Sequence, residues 1–347
     1  FVWRYLPHIR QIQGGKIRLD WPGALLIALV LASLQLLVER LARHGPDATV
    51  LVLALVCALV LLALVVWERR FPQPILPSEL FRNKGVVALF FLSFFTGFVM
   101  FALLFFLPLL LQGGFGLDPR QVGVLITPMV VCITVGSLIN ARVVIRLPRP
   151  NLVLYTGFMC LVLASAGFIV THAGTPQPLV YLYMILAGVG LGFVMPNLTI
   201  FVQELAGRSL LGISTAVLQS FRMIGGMLGT TIVGAIVVQY YTSQIERVVT
   251  EGQGTDWIHK LKDPQMLVNQ DSQTGFATDL QRLGLNADPF IDAARGVLVT
   301  SVHIGFLTLV IAGLVALVWV YRVPLVRLSR PQPQAAGQGR DDPPGKG

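Results

Sequence analysis

The stretch GISTAVLQSFRMIGGMLGTTIVGAIV, residues 212–237, contains a single charged side chain, Arg222. The rest is apolar, small or weakly polar, and the run continues to Tyr240. About 20 apolar residues wound into a helix cross roughly 30 Å of hydrocarbon. Residues 212–240 therefore read as a membrane-spanning helix with a guanidinium placed well inside it.

Working outward, seven more runs have the same character: Pro22–Leu41, Ala48–Trp67, Val86–Leu111, Val122–Ile145, Leu152–Thr171, Leu179–Phe201 and Val297–Val320. Composition agrees. Of 347 residues, 54% are hydrophobic and 12% charged, about half the charged share of a soluble domain. Mean hydropathy is +0.73. The expected fold class is an all-α polytopic membrane protein with eight transmembrane helices.

The net charge of +9 orients such a chain and implies no nucleic-acid partner. With an even number of spans, both termini share a side. That side holds Arg4, Arg10, Lys16, Arg18, Arg69, Arg70, Arg82, Lys84, Arg142, Arg146, Arg149, Arg208, Arg322, Arg327, Arg330, Arg340 and Lys346. The short loops opposite carry Arg40, Arg43 and Arg120. Basic residues gather in cytoplasmic loops, so both termini are expected in the cytoplasm, at the cell membrane. Cys57, Cys132 and Cys160 lie singly within spans and read as buried small residues.

Residues 1–21 form a basic lead-in and 22–70 a pair of plain Leu/Val/Ala helices. Residues 71–85, FPQPILPSELFRNKG, are a Pro-broken amphipathic linker. A six-helix bundle occupies 86–325 and includes an outer loop, 241–295, where Pro264 and the Ala287-Asp288-Pro289 step suggest short helices. The Pro/Gln/Gly-rich tail, 326–347, is expected to be disordered. Runs three to five and six to eight invite comparison as inverted repeats.

Signals of soluble enzymes fail on context. Gly188-Val189-Gly190-Leu191-Gly192 lacks the strand and the distant acid of a dinucleotide fingerprint. The sequon Asn197-Leu198-Thr199 lies inside a span, and His303 reads as a packing or interface residue. No metal-ligand spacing or catalytic triad is present, so an enzyme is not expected.

What remains is polar and small residues on helix faces. Gly188, Gly192, Gly225, Gly226 and Gly229 are assigned to close helix packing. Gln219 and Arg222 are assigned to a water-filled path. A mid-span arginine costs from about 3 to more than 10 kcal/mol unless it is paired, snorkelled or hydrated. No acid lies in the body of runs three to eight. Its partner is then backbone carbonyls, water, a substrate or an acid outside this chain. Phe94, Phe98, Phe101 and Phe105, with Gln112 seven residues on, form a stripe that suits either a lipophilic ligand or packing and lipid. Ser93, Thr96, Gly97 and Met100 compete with it for the inward position.

Several stretches resemble one family. They are FLPLLLQGGFGLDPRQVGVLITP (Phe106–Pro128), GVGLGFVMPNLTIFVQ (Gly188–Gln203) and the opening segment with its intramembrane arginine. DWPGALL (Asp20–Leu26) and FPQPILPSELFRNK (Phe71–Lys84) add to them. Together they resemble the fourteen-helix drug:proton antiporters of the major facilitator superfamily, the EmrB/QacA type. The resemblance implies that runs one and two are the inserted pair of that branch. Runs three to eight would be its C-terminal bundle, with the N-terminal six-helix bundle missing and serving as partner. Runs three, four, six and seven would line the cavity, and the candidate substrate contacts are Arg222, Gln219, Gln112, Phe98, Phe101, Phe105 and Met223. The implied activity is efflux of lipophilic or cationic small molecules, driven by a proton gradient with no cofactor and no metal. The alternative is a truncated scaffold or one half of a split transporter.

Overall fold

The computed structural model describes residues 20–45, 47–71, 78–144, 146–147, 149–250, 261–282 and 286–325. The basic lead-in up to residue 19, the tail from 326, and parts of the linker and outer loop lie outside these residues. Among the described residues, eight helices are long and apolar enough to cross a membrane. They are α1 (Trp21–His44), α2 (Ala48–Arg70), α3 (Lys84–Leu109), α4 (Pro119–Val143), α5 (Leu152–Ile169), α6 (Gln177–Ala206), α7 (Leu211–Thr250) and α8 (Asp288–Val320). The chain divides into two compact units, one ending at Glu79 and one beginning at Leu80.

The first unit is the hairpin of α1 and α2. Asp20 caps α1 by accepting from the Gly23 amide at 2.9 Å, and Asp47 caps α2 by accepting from Val50 at 2.7 Å. Each cap also clips the hairpin. The indole Nε1 of Trp67 donates to Asp20 at 2.9 Å, and Arg40 pairs with Asp47 at 3.2 Å. Between these clips both helices expose leucine and valine nearly all round, a surface suited to lipid. Asp20→Ala removes one cap and one clip together. Losing a cap costs about 1 kcal/mol and losing the partly buried indole bond about as much again. The isolated hairpin in detergent micelles is therefore expected to unfold more readily by about 2 kcal/mol, read as a lower melting temperature by circular dichroism.

The second unit holds α3–α8. Asn83 caps α3 through the Gly85 amide at 2.9 Å. Asp118 and Gln121 make a reciprocal capping box at the start of α4. Beyond Pro108, α3 widens into a π-turn, Leu110–Gly114, which the apolar run does not announce. Gly116, at φ +69°, then turns the chain towards α4. Two helices outrun their sequence boundaries. The seventh run ends at Tyr240, but α7 continues to Thr250; the eighth begins at Val297, but α8 starts at Asp288. The apolar run marks the hydrocarbon, whereas the helix goes on wherever it finds packing. Tyr241 and Ile245 extend the buried face of α7, and Ile291 and Ala294 that of α8. The outer loop is correspondingly shorter. Its described part contains the turn Pro264–Leu267 and the helix Gln270–Arg282, and Tyr241 ties it to α7 by donating to the Leu261 carbonyl at 2.9 Å.

Packing within this unit nearly maps onto itself when α3, α4 and α5 are exchanged for α6, α7 and α8. The extensive α3–α7 contact corresponds to α6–α4, and α5–α6 to α8–α3, while α3–α6 and α5–α8 pair across the exchange. Inverted repeats produce this pattern. The correspondence fails in two places: α7 lies against both α8 and α6, but α4 makes no comparable contact with α5 or with α3. Almost all of the packing of α4 is against α6.

Candidate functional site

Close approach of backbones builds the two main crossings. On α7, a Cβ at Gly225 would strike the Phe94 carbonyl of α3, and one on Gly97 of α3 would strike the Arg222 carbonyl. Gly229 lies against the Phe98 backbone and Gly226 against the Phe101 ring. Ser93 fastens the same crossing by donating to the Leu218 carbonyl at 2.8 Å. The corresponding α4–α6 crossing uses Gly188 against Met129 and Gly192 against Ile133 and Ser137. Small residues let helices touch where lipid supplies no hydrophobic drive between them.

Each crossing also buries a strongly polar side-chain group, and the two differ. Between α4 and α6, Asn197 donates to Asn140 at 2.7 Å, and both side chains are buried. Sequence reading had only the failed sequon for Asn197. The available signal was a pair of carboxamides deep in two apolar runs. Between α3 and α7 sits Arg222, 5% exposed, with Nε and Nη2 buried and without a hydrogen-bond partner among the described residues. Its backbone lies where Gly97 comes closest. One turn before Arg222 on α7 is exposed Gln219 and, a turn earlier still, Thr215, which accepts from Gln203 of α6 at 2.9 Å.

The seven candidate contacts are not gathered in one place. Arg222, Gln219 and Met223 share a region of α7, and Met223 is 58% exposed on its uncovered face. Phe98, 8% exposed, is wedged against Gly229, a packing element rather than the wall of an open cavity. Phe101 is half-buried against Gly226. Phe105 is 65% exposed, because the stripe leaves α7 after Phe101 and Phe106 takes over the buried side. Gln112 lies about 22 Å further along α3 than Gly97. There it lines a separate recess of about 440 Å³, with Pro108, Pro119, Val122, Ile126 and Thr127. Among the described residues no group of three or more His, Cys, Asp or Glu is arranged to hold a metal ion.

The family model described as Major Facilitator Superfamily matches residues 23–230. Multidrug transporter protein MdtP of Bacillus subtilis is 30% identical over 65% of this chain and 42% of its own length. A methylenomycin A resistance protein of Streptomyces coelicolor is 28% identical over 66% of this chain and 48% of its own length. The chain thus spans less than half the length of these curated relatives. Among solved structures, a bacterial homolog of the human lysosomal transporter Spinster, inward-facing and unoccupied, matches with a TM-score of 0.52. It is 15% identical, over 89% of this chain and 71% of that one, and so shares the fold.

Proposed function

The chain belongs to the major facilitator superfamily, and from that premise we propose that it is the linker hairpin and C-terminal bundle of a fourteen-helix, proton-coupled efflux antiporter. Relatives named for multidrug transport and methylenomycin resistance support the transporter class and efflux as its direction. The observation that carries the mechanism is the α3–α7 crossing. It holds a buried guanidinium, its Nε and Nη2 without a partner among the described residues, next to a face of α7 that no described helix of this bundle covers.

In this reading a second six-helix bundle, preceding α1 in the full protein, faces the uncovered sides of α4 and α7. The two bundles rock about a site near mid-membrane. Gln219 and Met223 meet the lipophilic or cationic substrate, and Arg222 supplies a fixed positive charge that a group on the opposing bundle engages in one orientation. Phe105 and Gln112 belong to an outer vestibule, separated from Arg222 by most of a membrane leaflet. The protein lies in the cell membrane with both ends of this chain in the cytoplasm, energised by the proton gradient alone.

The full-length protein reconstituted into proteoliposomes tests this directly. An imposed pH gradient is expected to drive a fluorescent lipophilic cation against its concentration gradient, and a protonophore to stop it. Uptake indifferent to the pH gradient would overturn proton coupling, and absence of all dye movement would overturn drug efflux.

A further inference from the structure

We propose that the end of the bundle where α3 begins and α8 finishes carries a binding site for the anionic headgroup of an inner-leaflet phospholipid, centred on Arg322. The proposal rests on a side-chain cluster that the transport reading does not use.

The guanidinium carbon of Arg322 stands 4.6 Å from the centre of the Trp319 ring. That ring meets Phe91 of α3 at 5.3 Å, and Phe91 meets Phe221 of α7 edge-on at 6.3 Å. Phe221 stacks on Phe90 at 5.3 Å, and Phe90 reaches Phe81 at 5.9 Å. Three membrane helices and the turn before α3 thus build one aromatic ladder. It is anchored by fully buried Phe90 and emerges through exposed Phe81 and Phe91.

A guanidinium seated on an aromatic face is held in orientation while its N–H edges stay free. Its planar fork matches phosphate oxygens in pairs. Arg322 is exposed and has no carboxylate partner among the described residues. Gly85 packs on the Pro324 ring, so the start of α3 and the end of α8 lie side by side.

Charge and depth select the occupant. From Leu80 onward, the described residues at this end of the bundle expose Arg82, Lys84, Arg142, Arg146, Arg149 and Arg322 against one acid, Glu204. At the other end Asp118, Asp263, Asp279, Asp288 and Asp292 offset the cations. The patch is therefore a net cation, rimmed by exposed Tyr321 and Leu325 at the foot of a membrane-spanning helix. Only a ligand with an anionic head and an acyl tail fills both parts, and the cytoplasmic leaflet supplies such lipids.

Native mass spectrometry on the detergent-purified chain tests the site, with phosphatidylglycerol and phosphatidylcholine titrated separately. The first phosphatidylglycerol is expected to bind about fivefold more weakly to Arg322→Gln, the worth of one basic residue near a headgroup. Phosphatidylcholine binding should be unchanged. Arg142→Gln, at the same end of the bundle but away from the ladder, should lose less than half as much. Equal losses in the two variants would show a diffuse field rather than a site and overturn the proposal. So would a wild type that binds both lipids alike.

Discussion

Gly225→Leu is expected to destabilise the six-helix bundle by about 3 kcal/mol, the upper end of what overpacking normally costs. The added Cβ would fall on the Phe94 carbonyl, a backbone atom with no rotamer through which to retreat. Relief requires α7 to move off α3. That motion would also part Gly97 from the Arg222 backbone and Gly229 from Phe98, and would stretch the Ser93–Leu218 hydrogen bond. The comparison is Gly296→Ala on α8, where nothing lies within 4 Å. Removing a flexible residue from an uncrowded helix interior should raise stability by about 0.5–1 kcal/mol. Thermal unfolding of the detergent-solubilised chain reads both. If Gly225→Leu melted with the wild type, the α3–α7 crossing would be looser than described.

Arg222→Met is expected to separate activity from stability. In the full-length protein, transport should fall at least tenfold, since the fixed charge at the crossing is lost. Stability should hold or rise by about 1–3 kcal/mol, because an apolar side chain of similar length replaces a buried ionic group. A guanidinium with unpartnered nitrogens inside a span is a cost that only function would maintain. Arg222→Lys keeps the charge but not the planar fork, so it should restore only part of the activity. Paired melting and proteoliposome transport assays decide the matter. A variant that loses stability and activity together would mark Arg222 as a structural anchor, and one that transports normally would remove it from the mechanism.

How far the sequence was legible depended on scale. The eight spans followed from apolar run length, because hydrocarbon thickness imposes it directly. Helix ends did not. Tyr241–Thr250 is polar enough to read as loop, yet Tyr241 and Ile245 keep a buried edge going that carries α7 on past the apolar run. The π-turn after Pro108 was hidden for a similar reason, since hydropathy does not register a change in helical pitch.

At the site, Arg222 stood out because its charge contradicts its surroundings. The aromatic stripe misled because regular spacing fixes a face but not how far a neighbour covers it. Here α7 covers Phe98 and leaves Phe105 bare. Gln112, which spacing alone put on that face, lies in the π-turn and lines a recess beside α4 instead.

The unusual length of α7 has a mechanical consequence. At 40 residues it is a rod of about 60 Å, twice what the hydrocarbon needs. From its tight seat at Gly97 the outer arm, from Arg222 to Thr250, is about 42 Å long. A lean of about 10° at that fulcrum therefore sweeps the far tip through about 7 Å. The segment after α7, hitched to the rod by Tyr241, rides along as a pointer on a dial, magnifying beyond the hydrocarbon a shift too small to notice within it.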